Sequence, residues 1–148
     1  MTEEQHDFIE DMGQLVVGWG LPRNTGRIYG YLLLHSEPAS LAQVAAQVGI
    51  APSGVSVATR QLVQLGLARG TGQRGSKRLL YEALLNLEAI IAARTPMLVD
   101  LQARLRQGAR AAQAGPGRRR LEDMADMVQE LQDELPALVR RISERRQE

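Results

Sequence analysis

Two short stretches hold side chains with recognisable chemistry. Residues 53–61 hold Ser53, Ser56, Val57, Arg60 and Gln61, and residues 74–78 hold Arg74, Lys77 and Arg78 among glycines. An arginine fork can bond guanine, a glutamine amide can bond adenine, and a valine can meet a thymine methyl. Ser53 and Ser56 can donate to phosphates or base edges, although Ser53 could equally do no more than cap a helix. Gln64 reads as a solvated side chain. Arg74, Lys77 and Arg78 sit on flexible backbone, and a slim cationic loop can approach a minor groove and its phosphates. Such contacts add affinity and little sequence information. A plain solvated basic loop is the other reading of that stretch.

Charge supports a polyanion partner. The 148 residues carry 18 Lys+Arg and 17 Asp+Glu, a net charge of +1. That balance hides an asymmetry. Residues 1–20 carry five acids and no Lys or Arg, whereas residues 21–82 carry seven basic residues against only Glu37 and Glu82. A basic middle is the electrostatic footprint of a nucleic-acid binder, or a solvated basic face.

Other chemistries are disfavoured. The chain has no cysteine, which removes disulfides, thiolate zinc sites and a cysteine nucleophile. With two histidines, His6 and His35, no metal site, no cofactor and no enzyme activity is expected. No apolar run approaches the roughly 18 residues of a membrane span, and the acidic start does not resemble a signal peptide. The expected compartment is the cytoplasm, with no membrane partner.

The elements that would position these residues are mostly helical. Phe8, Met12, Leu15, Val16 and Trp19 share one face of a helix over 5–19, weakened by Gly13 and Gly18 and ended by Gly20-Leu21-Pro22. A second helix spans 23–35, capped by Asn24 or Thr25. Ser36-Glu37-Pro38 stops it, and His35 serves as its C-terminal cap. Ser40 and Gln43 form a capping box for a short helix over 41–49, closed by Gly49. Pro52 opens the next helix, with Val55, Ala58 or Thr59, Leu62 and Leu65 facing inward. This pair is the sequence image of a helix-turn-helix. The segments 67–69 and 78–81 then flank a glycine-rich tip, a β-hairpin acting as a wing.

Helical periodicity returns over 83–113, interrupted by Pro96, and breaks at 114–120. Leu121, Met124, Val128, Leu131, Leu135, Leu138 and Ile142 then form a heptad seam, which Pro136 should kink. The seam expects a second chain, or an antiparallel partner at 84–105. The fold class is therefore mainly α with a small β-hairpin wing: a winged helix-turn-helix plus long terminal dimerisation helices. The divisions are 1–20, a helix contributing to dimerisation; 21–82, the winged helix-turn-helix; and 83–148, a helical dimerisation region. A protein-interaction module built on the same winged helix and heptad helix, without specific DNA binding, is the alternative function.

This order of elements resembles the MarR superfamily of winged-helix regulators. The Met12-Gly13 pair, GLPRNTGRIYGYLLL at 20–34, Ser40-Leu41 and SGVSVATRQL at 53–62 resemble its GbsR-like branch, over roughly residues 6–82. The resemblance implies a dimeric, sequence-specific, ligand-responsive transcriptional regulator, a repressor in the expected case. It implies a homodimer on double-stranded DNA, reading a pseudo-palindromic operator with recognition helices about 34–36 Å apart. It also implies a small-molecule effector, choline-type or lipophilic, for which Met12, Trp19 and Tyr29 are candidate pocket walls. The family's wing carries an acid shortly before its arginine; here Ser76 stands in that place and cannot form that ion pair.

Overall fold

The computed structural model describes residues 1–72 and 74–147. The chain divides into two compact units, Met1–Asn86 and Leu87–Glu148. The first helix packs on the second within the first unit. The expected boundary after residue 20 therefore has no counterpart in the packing, and the next boundary falls at Asn86/Leu87 instead of 82/83.

In the first unit, α1 (Glu3–Val17) starts from a capping box in which Thr2 and Gln5 bond each other's backbone N–H. α2 (Arg23–Leu34) follows Pro22, which occupies the N-cap position with extended backbone and no side-chain cap. Asn24 and Thr25 thus lie inside the helix and do not cap it; their side chains bond Arg27 and Gln61. The buried stripe of α1 is Ile9, Gly13 and Val16. Phe8 and Leu15, expected inside, are exposed. Glycine is the cause of that shift. A methyl on Gly26 would strike the Met12 carbonyl and lie 2.5 Å from Val16 Cγ2, and one on Gly13 would lie 2.6 Å from Arg27 Cγ. The helices meet where side chains are missing, and the stripe turns to that line.

The helix-turn-helix follows the sequence closely. Ser40 caps α3 (Leu41–Val48) with Gln43 in a capping box, and Gly49 ends it at φ 77°. Pro52 opens α4 (Pro52–Gln64) at its first turn. Val55, Ala58, Thr59 and Leu62 face inward, while Leu65 is only half-buried at the helix end. Val44, Val48, Ile28 and Leu32 complete the core. His35 caps α2 and its ring stacks on Tyr31, with centroids 5.1 Å apart.

The wing has three strands where a hairpin was expected. β2 (Ala68–Gly72) and β3 (Leu79–Ala83) pair antiparallel, and β1 (Ala39–Ser40) adds to the other side of β3. Two residues are too few to leave an alternating pattern. Ser40 pairs with Leu80 while also capping α3.

The second unit is an antiparallel hairpin of α5 (Leu87–Ala111) and α6 (Pro116–Gln147). The break spans only 112–115, shorter than expected. Pro116 takes the first helical position, where its missing N–H costs nothing. α5 and α6 continue through Pro96 and Pro136 without a break. The heptad seam splits in two. Leu121, Val128, Leu135 and Ile142 are buried or half-buried, joined by Ala125 and Val139, whereas Met124, Leu131 and Leu138 stay exposed. Gln102 bonds Gln129 and Gln132 across the pair, and Arg106 reaches Asp126 at 2.8 Å.

Candidate nucleic-acid interface

α4 turns one strip of side chains away from its core. Val57 is 64 % exposed, so its methyls are open to an apolar contact. Ser53, Arg60 and Gln64 are exposed beside it, and Ser56 is half-buried. Gln61 is half-buried too, and its carbonyl accepts a hydrogen bond from the buried Thr25 hydroxyl at 2.5 Å. That bond takes one of the oxygen's two acceptor sites and turns the oxygen toward α2, whereas the two-bond adenine contact anticipated from the sequence needs it in the groove.

The wing is built to be slim. Gly70 faces Tyr81 across β2 and β3, where a methyl would lie 2.9 Å from the ring. The tip turns at Gly75, φ 80°. The Ser76 hydroxyl accepts the Arg78 backbone N–H at 3.0 Å. This serine thus fixes the backbone that carries Arg78. Arg74, Lys77 and Arg78 are all exposed.

The ion pairs sort the basic residues of 21–82. Arg23 and Arg27 both bind Glu10, with Arg27 at 2.9 Å, and Arg69 binds Glu82 at 2.5 Å. Arg27 also donates to the Val48 carbonyl, tying α1, α2 and α3 together. Among the described residues, Arg60, Arg74, Lys77 and Arg78 form no ion pair. Among the described residues of 21–82, the positive charge without an ion-pair partner thus lies on α4 and the wing tip.

The three candidate pocket residues line neither of the two cavities described below. Met12 packs on Gly26 and Gly30, Tyr29 is buried with its hydroxyl donating to the Leu84 carbonyl at 3.4 Å, and Trp19 is half-buried. Burial raises the Tyr29 phenol and keeps it neutral. A cavity of about 410 Å³ with a mixed lining lies among α1, α2 and α3, bounded by Gln5, Tyr31, Leu34, His35, Gln43 and Ala46. A more apolar one of about 280 Å³ lies between α5 and α6, lined by Ile91, Leu98, Leu135 and Val139, with Glu88 and Arg140. Met12, Trp19 and Tyr29 line neither.

Sequence reasoning missed Thr25. It reads as a helix cap in PRNTGR, and only the tertiary contact with Gln61, 36 residues away, shows otherwise.

Helix-turn-helix and wing together make a winged helix, with exposed cations on α4 and at the wing tip. Residues 86–145 match the family model described as the MmpR5-like MarR family transcriptional regulator. The HTH-type transcriptional regulator MmpR5 of Mycobacterium tuberculosis is 27 % identical over 143 residues, 94 % of this chain and 87 % of that protein. The putative HTH-type transcriptional regulator YvaV of Bacillus subtilis is 25 % identical over 82 residues, 55 % of this chain and 46 % of its own length. The match thus spans about half of that relative. A crystal structure of a transcriptional regulator superposes with a TM-score of 0.65 and 26 % identity, covering 95 % of this chain and 99 % of the other. The chain is thus similar to MarR family transcriptional regulators over residues 86–145, and to a solved transcriptional regulator over nearly its whole length.

Proposed function

We propose that the chain works as a homodimer that reads a pseudo-palindromic operator and represses transcription until a small effector binds. α4 enters the major groove with Ser53, Ser56, Val57 and Arg60, and the wing lays Arg74, Lys77 and Arg78 along the flanking minor groove. One observation carries the reading: the cations of the basic middle that remain unpaired are those of α4 and the wing tip. The motif GLPRNTGRIYGYLLL supports a GbsR-like branch. The relatives matched are regulators, which supports a non-enzymatic role in the cytoplasm. The 280 Å³ cavity between α5 and α6 suits a mainly apolar effector better than the Met12–Trp19–Tyr29 cluster does.

The test is fluorescence anisotropy of the purified protein on promoter fragments from its own locus, across a salt series. Tighter binding to one fragment than to random duplex is expected, with affinity falling steeply as salt rises. Equal affinity for every duplex would remove sequence-specific regulation.

A further inference from the structure

We propose that Thr25 is a positioning residue for base recognition: it holds the Gln61 amide in one orientation, so that Gln61 offers the groove donors only. The inference rests on the reading of α4 as the base-reading helix. Thr25 lies in the first turn of α2 and is 1 % exposed. Its hydroxyl donates to Gln61 Oε1 at 2.5 Å. The hydroxyl is the donor and the amide oxygen the acceptor, so the oxygen end of the amide faces Thr25. Gln61 stands one turn beyond Val57 on the same helix. Its outer end is then the NH₂ group, which can only donate.

This changes what Gln61 can read. An unconstrained glutamine bonds adenine through both ends, its oxygen accepting from N6 and its nitrogen donating to N7. Here the oxygen is engaged inside the protein. Guanine offers two acceptors in the major groove and thymine offers one, whereas cytosine offers a donor and adenine one of each. The tethered amide therefore favours guanine or thymine. Releasing the tether lets the amide turn and admits adenine.

The experiment is selection of the full-length protein on a random duplex pool, followed by sequencing, for wild type, T25V, T25S and Q61L, with thermal melting of each. In the wild-type motif, one symmetry-related pair of positions should favour guanine or thymine over adenine by about tenfold. T25V should bring adenine to within about threefold at that pair and leave the other positions alone, T25S should restore the wild-type motif, and Q61L should level the pair. A T25V motif identical to wild type, or one blurred evenly at every position, overturns the tether. Should T25V fail to melt cooperatively, the pair that Q61L levels decides: a wild-type preference there for guanine or thymine supports the tether, and a preference for adenine, or a Q61L motif identical to wild type, overturns it. A wild type that enriches no motif overturns the DNA reading itself, a result distinct from failure of the tether.

Discussion

Thr59 is buried in α4 with a hydroxyl that meets no partner among the described residues. A buried polar group left unbonded costs about 1–3 kcal/mol, and an apolar group of the same shape removes that cost. Thr59→Val is therefore expected to stabilise the protein by about 1 kcal/mol, read as a higher urea midpoint at unchanged slope. Glu10 shows the opposite economy. Burial alone would raise its carboxyl, but Arg27 and Arg23 bond it and hold it below the usual carboxylate value. A carboxyl depressed by folding contributes stability above its unfolded value and loses it as pH falls through the folded one. Wild type should thus be the more stable protein at neutral pH, and Glu10→Gln should close the gap as pH drops below about 4. Parallel melting curves for the two proteins from pH 7 to pH 3, with a constant gap, would refute this.

At the scale of elements, the α1–α2 contact depends on the absence of side chains. Gly26→Ala places a methyl against the Met12 carbonyl, and backbone cannot yield as a side-chain end can. Better helix propensity returns about 1 kcal/mol, yet overpacking of this kind costs about 1–3 kcal/mol or more. A lower melting temperature is expected. Sequence alone reads Gly13 as a weak point in a helix, because propensity is local and the neighbour that makes glycine useful lies in another helix. The helix-turn-helix was legible for the converse reason: its capping box, its Pro52 start and its Gly49 stop act within a few residues of themselves. β1 and the Thr25–Gln61 bond were not legible, since each depends on a partner far along the chain. The wing divides its work in a measurable way. Replacing Arg74, Lys77 and Arg78 with alanine should weaken binding to all duplexes alike and flatten the salt dependence. Arg60→Ala should cost about 1–3 kcal/mol on the preferred duplex and less on others. Anisotropy on both duplexes at several salt concentrations separates the two effects, and equal losses would return Arg60 to the phosphates.

At the scale of the whole molecule, the heptad seam of α6 has seven apolar positions and one intramolecular partner. The residues at 121, 128, 135 and 142 turn toward α5, and Met124, Leu131 and Leu138 remain outside with Met127. α5 likewise exposes Met97, Val99 and Leu101. A hairpin can satisfy one face of each helix, so the second set of apolar residues calls for a second chain, which supports the proposed dimer. Leu131 and Leu138 are 47 % and 41 % exposed, so changing them should disturb the hairpin itself little. Two glutamates there would place like charges across a two-fold interface and take the apolar contact away. Light scattering at micromolar concentration should give the dimer mass for wild type and the monomer mass for the Leu131→Glu, Leu138→Glu double variant, with helical content kept in circular dichroism. Operator affinity should fall with it, because two linked half-site contacts bind far more tightly than either alone. A wild type of monomer mass would refute the dimer; a double variant that stays dimeric would move the interface to another face.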